Sequence, residues 1–181
     1  MSVVERKIEY LTNPGSKNTE KVIESIRNRI ENGGVGTVVV ASTSGETGVK
    51  FAKALKGMAT VFAVSHETMN PVFKRQIVES EGKAMDKTHL PLHEDGMDDV
   101  RNTFYMFGQG FKVAVEVILI AADKGAINLY EDVVGVGGTS RGADTAIIAR
   151  ATTTKQIFAR DENKKLEIRE ILVMPLEKHW W

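Results

Sequence analysis

Short apolar runs alternate with amphipathic stretches along this chain, and Gly, Pro, Asn and Asp clusters separate them. Thr37-Val38-Val39-Val40-Ala41 is a continuous apolar run, which predicts a strand buried on both faces. Ala59–Val64 predicts a second such strand, and Thr47–Lys56 between them a helix with Val49, Phe51, Ala52 and Leu55 facing inward and Gly57 as its stop. This βαβ unit is expected to be parallel and right-handed. Before it, Ile8–Leu11 predicts a short strand, Asn13-Pro14-Gly15-Ser16 a turn, and Val22, Ile23, Ile26 and Ile30 a helix running through about Asn32, capped by Asn18 or Thr19 and ended by Gly33-Gly34. After it come a helix over Pro71–Glu81 closed by Gly82, a strand over Lys83–Thr88 and a polar loop over Leu90–Met97. A long helix is expected from about Val100 to Lys124, started by Asp98 or Asp99 and ended by Gly125. Gly108 and Gly110 interrupt its early part, each costing about 1 kcal/mol relative to Ala. Val133–Val136 and Thr145–Arg150 predict two strands joined too tightly for a helical crossover, hence antiparallel. Leu166–Val173 alternates and predicts a last, edge strand after the turn Asp161-Glu162-Asn163-Lys164. The expected fold is α/β: a mostly parallel sheet with helices on both faces, and an antiparallel edge from Thr145–Arg150.

Two Gly/Ser/Thr loops carry the chemistry. Ser42-Thr43-Ser44-Gly45-Glu46-Thr47-Gly48 follows the first buried strand and opens a helix. Gly137-Gly138-Thr139-Ser140-Arg141-Gly142-Ala143-Asp144-Thr145 follows Val133–Val136. Converging backbone N–H groups, hydroxyl donors and a helix N-terminus favour an anion, so the first loop reads as a phosphate site. Three consecutive hydroxyl residues exceed what helix capping requires. In the second loop Arg141 suits a phosphate bidentately, or pairs with Asp144. His66 follows the strand ending at Val64, so it is expected at the same carboxyl edge, where ligands of α/β sheets collect. Gln109, Lys112 and Glu116 lie beside the glycine-interrupted part of the long helix, and Lys112 and Glu116 are spaced for an ion pair. His89, His93, Asp95, Asp98 and Asp99 match no metal-ligand spacing and read as a solvated loop. No nucleophile–base pair is recognisable, so whether the protein is an enzyme stays open.

Composition narrows the partners. The 181 residues suit one α/β domain, spanning 1–181, with an N-terminal helical segment at about 17–33 and the C-terminal edge strand at about 166–174. Lys and Arg number 24 and Asp and Glu 24, which gives no basic surface for nucleic acid or an acidic membrane. With no cysteine, disulfides and thiolate-ligated metals are excluded, and no metal is expected. The N-terminus carries no apolar signal core, and Val113–Ala122 is too short to cross a bilayer, so a cytoplasmic protein without membrane partners is expected. The apolar end His179-Trp180-Trp181 and the apolar long helix lead to the expectation of a homo-oligomer.

The segment Thr37–Gly48 and the closing Glu131–Ala146 resemble the C-terminal domain of pyruvate kinase. The wider pattern is Asn18-Thr19, Val40-Ala41-Ser42-Thr43, Gly110-Phe111-Lys112-Val113-Ala114-Val115-Glu116 and Gly142-Ala143-Asp144-Thr145-Ala146. It resembles a family of stand-alone archaeal and bacterial proteins with that fold. This resemblance implies a three-layer α/β/α arrangement around a mixed, mostly parallel five-stranded sheet. It implies flavin mononucleotide (FMN) as the ligand, bound by the first loop and its neighbours. In pyruvate kinase the matching loop grips a phosphate of a sugar bisphosphate activator. The catalytic barrel of that enzyme is absent here, so its activity is not implied. Glu46 places a carboxylate in the first helical turn, which favours one phosphate rather than two.

The expected cofactor-binding set is Asn18, Ser42, Thr43, Ser44, Gly45, Thr47, Gly48, His66, Gln109, Lys112, Gly137, Gly138, Thr139, Arg141 and Gly142. Asn18 enters through the resemblance alone; Lys112 is placed at the ring's electron-rich edge if the long helix flanks the flavin. Gly108, Gly110, Gly137 and Gly138 are expected to let a flat ring approach the backbone. The alternative reading is a non-catalytic sensor or allosteric module for a phosphorylated metabolite. A pyridoxal-phosphate enzyme ranks last, because the upstream Schiff-base lysine motif and the longer chain of that group are missing.

Overall fold

A computed structural model describes residues 2–180; Met1 and Trp181, the extremes of the two termini read above, lie outside the described residues. In chain order the elements are β1 (Glu9–Leu11), α1 (Thr19–Glu31), β2 (Thr37–Ala41), α2 (Glu46–Ala54), β3 (Thr60–Val64) and α3 (Pro71–Glu79). There follow β4 (Lys83–Met85), α4 (Asp98–Tyr105), α5 (Gln109–Asp123), β5 (Asp132–Gly137), β6 (Thr145–Arg150) and β7 (Glu167–Pro175). The strands form one mixed sheet in the order β1-β7-β6-β5-β2-β3-β4. The sheet therefore has seven strands, not the five the resemblance implies, because two three-residue strands extend its edges.

Only β6 runs against its neighbours; every other adjacent pair is parallel. The carboxyl ends of six strands consequently share one edge of the sheet. Two expectations are corrected here. Thr145–Arg150 is antiparallel but interior, lying between β5 and β7, and Leu166–Val173 is not an edge because β1 pairs with β7 through Glu9–Val173.

Alternation along each strand feeds two apolar clusters, one per face. Val38, Val40, Val134, Val136 and Ile148 pack with Val22, Ile26, Phe51 and Ile77 of α1, α2 and α3. Val39, Phe62, Val133 and Ile147 pack with Phe111, Val115, Ile118 and Leu119 of α5.

The expected long helix is two helices. Gly108 takes φ +96°, a conformation that breaks α4 from α5, and the carbonyl of His179 accepts the Gln109 N–H at 2.6 Å. From Gly110 to Ala122 every residue of α5 except Val113 is buried, so its apolar surface is spent inside the chain rather than left for a second copy. It lies unusually close to β5: a Cβ at Gly137 would stand 2.1 Å from the Gly110 carbonyl oxygen, and one at Gly135 2.3 Å from that of Ala114. These glycines serve helix–sheet contact, not a ring. Gly82 does not end α3 either; Glu81 adopts the left-handed turn, and Gly82 leaves room for Ile77 and Ala52.

Acid sensitivity follows from the β1 edge. Lys7, Ser25 and Lys21 hold the Glu9 carboxylate and pull its pKa from 4.5 down to about 2. A depressed carboxylate stabilises the fold fully above its unfolded value and loses that contribution as pH falls through the folded one. The urea midpoint is therefore expected to drop between pH 4.5 and about 2, and Glu9→Gln to shallow that drop. An unchanged pH profile in the variant would count against this role.

Candidate functional site

The carboxyl edge of the sheet carries a cavity of about 340 Å³. The ends of β2 and β3, the two Gly/Ser/Thr loops, the Leu90–His93 turn, Tyr105 and the first three turns of α5 line it. A shallower groove continues from it across Thr43, Thr47, Ser140 and Gly142 toward Lys17, Lys50 and Arg141.

The first loop is built as follows. Gly45, at φ +96°, reverses the chain into α2. Ser42 is buried, and its Oγ accepts the Gly48 N–H at 2.9 Å; Ser44 Oγ accepts that of Glu46 at 3.3 Å. These two hydroxyls therefore cap the helix. Thr43 and Thr47 make no side-chain hydrogen bond among the described residues, and both border the cavity and the groove. Ser65, buried beneath the loop, donates to the Thr43 carbonyl and accepts from Glu67 N–H, which fixes the loop against the end of β3.

The second loop is held by Asp144, which is fully buried. One carboxylate oxygen accepts from Gly15 N–H and Thr139 N–H, each at 2.9 Å, and the other from the Thr145 hydroxyl at 2.9 Å. Thr19 adds a second tie, donating to the Ser16 carbonyl and accepting from Ala143 N–H. The turn after β1 and the loop after β5 thus form one unit. With Asp144 committed, Arg141 forms no ion pair with it and stands exposed in the groove. Among the described residues Lys17, Lys50 and Arg141 form no ion pair at all.

Along α5 the cavity wall is charged. Lys112 and Glu116 are each 3% exposed, and Lys112 Nζ lies 2.8 Å from Glu116 Oε2. Glu116 Oε1 accepts from Leu92 N–H at 3.2 Å. Lys112 Nζ is also 2.8 Å from His93 Nε2 and sits 5.4 Å from the Tyr105 ring centre. Burial, and then the charge of Lys112, push the His93 pKa below its ordinary value, so at neutral pH its ring accepts from the ammonium. Beside it, Gln109 Oε1 is buried without a hydrogen-bond partner among the described residues.

The structure brings Ser42, Thr43, Thr47, His66, Gln109, Lys112, Gly138, Thr139 and Gly142 together around the cavity, and Ser44 and Arg141 along the groove. It places the others elsewhere. Asn18 does not cap α1 with its side chain; its Nδ2 donates to the carbonyls of Asn13 and Gly15 and braces that turn. A Cβ at Gly45 would meet Phe73 at 2.8 Å, and one at Gly48 would meet Ala63 at 2.5 Å, so both serve packing of α2. Gly137 is enclosed against α5. The sequence reading missed His93, Tyr105 and Ser65 as parts of the site. His93 looked like loop chemistry because its partner lies 19 positions away. No family model matches the chain.

Proposed function

We propose that this protein binds a phosphorylated mononucleotide, most specifically FMN, with the phosphate in the groove and the planar ring in the cavity. The observation that carries the reading is the junction of the two spaces at Thr43 and Thr47. Hydroxyls there adjoin three cations that form no ion pair among the described residues, Lys17, Lys50 and Arg141, and a cavity of about 340 Å³ adjoins them on the other side. That volume lies within the usual range for a small-molecule site. The N-terminus of α2 adds its field to the groove, and Glu46 at the groove edge favours a single phosphate. The helices on both sheet faces agree with the three-layer domain of the stand-alone family that the sequence resembles. When bound, a flavin would supply electron-transfer chemistry; the chain supplies the phosphate grip through Arg141, Lys50 and Thr47 and a charged wall through Lys112. A sensor for another phosphorylated metabolite is the second reading, supported by the same groove of Lys17, Lys50 and Arg141.

The test is recovery of flavin. Denaturing the purified protein and analysing the released small molecules is expected to yield FMN, and refolded apoprotein is expected to bind added FMN. Failure of both would leave the metabolite sensor as the better reading. Arg141→Ser combined with Lys50→Ser is expected to weaken FMN binding at least about tenfold, or about 1.4 kcal/mol, without loss of folding. Unchanged affinity would move the phosphate out of the groove. Gly45→Asp is unsuitable for this purpose, because its side chain would strike Phe73 whether or not a phosphate binds.

A further inference from the structure

Lys112 and Glu116 do more than a binding wall needs. A buried ion pair is costly to desolvate, and an apolar pair would pack α5 at least as well. Yet both side chains are 4% exposed and both line the cavity. Of the three ammonium protons, Glu116 Oε2 and His93 Nε2 take one each, both at 2.8 Å. The Tyr105 ring, which also lines the cavity, stands 5.4 Å from the same nitrogen.

We propose that Lys112 is the group that stabilises negative charge on, and delivers a proton to, an electron-accepting heterocyclic ring held in this cavity, with Glu116 as the positioning residue for its ammonium. This rests on the mononucleotide reading above. When dithionite, the reductant of the titration below, supplies two electrons to the ring and is itself oxidised to sulfite, Lys112 meets the added charge. In the proton transfer the Nζ–H bond breaks, a bond from hydrogen to a ring heteroatom forms, and the amine regains a proton from solvent by way of His93. His93 lies at the exposed end of the cluster, 40% exposed at its side chain against 4% for Glu116. The charged and titratable groups around it are Lys112, Glu116, Arg101 and His66. With burial and Lys112 holding its pKa below the ordinary value, acidification is expected to place a second positive charge beside the ring.

The test is the midpoint potential of FMN bound to the full chain, titrated with dithionite. Lys112→Met is expected to weaken binding of reduced relative to oxidised FMN by about tenfold, a fall of about 30 mV for a two-electron couple. Glu116→Gln is expected to move the potential upward, and Lys112→Arg to hold it near wild type. His93→Gln is expected to remove the additional rise on acidification. A purely structural pair would not give shifts of opposite sign. Should Lys112→Met fail to fold, the Glu116→Gln and Lys112→Arg values decide alone. FMN bound with equal potentials in all variants overturns this proposal and leaves the binding reading intact. Failure of the wild-type chain to bind FMN overturns both.

Discussion

Lys112→Met is expected to lower the unfolding free energy by about 3–5 kcal/mol, because it leaves the Glu116 carboxylate buried without its cation. The backbone N–H of Leu92, at 3.2 Å, remains and cannot compensate a full charge. Lys112→Met combined with Glu116→Leu is expected to regain most of that loss, since neither charge then needs solvation and the surrounding wall of Val113, Val117 and Ile120 accepts an apolar pair. Urea denaturation of the wild type, both single variants and the double variant gives the coupling directly. Equal losses in the single and double variants would show that packing, not the orphaned charge, sets the cost. Against a total stability of about 5–15 kcal/mol, the single variant stands close to the folding limit.

Asp144→Ala is expected to have an effect of similar size through a different route. Its carboxylate satisfies two backbone N–H groups from segments 129 and five positions away and one hydroxyl. Removing it orphans Gly15 N–H and Thr139 N–H, at about 1–3 kcal/mol each when buried. It also frees the β5–β6 loop from the β1–α1 turn, which displaces Thr139 from the cavity and Ser140 and Arg141 from the groove. Thermal unfolding is expected to shift downward and FMN affinity to fall together. Full affinity in a destabilised variant would mean that the loop holds its place through the Thr19 tie alone. Asp144→Asn is expected to be milder, keeping one acceptor.

Much of the fold was legible because local chemistry and global packing agree. Thr37–Ala41 is β-branched in its first four residues and is paired and buried at its centre in the sheet, as such a run must be when covered on both faces. Read residue by residue, all seven strands are recoverable from the sequence; the count of five came from the resemblance and was wrong. The strand ends and the helix start at Glu46 differ from the expected bounds by one to three residues, most at β4, which stops at Met85 rather than Thr88. The break at Gly108 was harder. Val100, Phe104 and Phe111 keep an apolar face across it, and only the left-handed Gly108 and the docked His179 carbonyl separate the two helices.

Local sequence alone determined the α/β class, the parallel β2–α2–β3 unit, the tight antiparallel return at β6 and the two hydroxyl-rich loops at one sheet edge, since spacing and turn residues act within a few positions. Tertiary structure alone decided the roles within the site. A lysine and a glutamate four apart look the same on a surface helix as on a buried one; α5 became buried all round only when the sheet, α4 and the 91–93 turn closed on it. His93 joined Lys112, and Asp144 joined Gly15, across gaps of 19 and 129 positions. Several glycines that looked like ligand contacts were instead needed where a Cβ would strike a neighbouring backbone or side chain. Contacts between distant segments and desolvation belong to the assembled chain, and no local pattern specifies them.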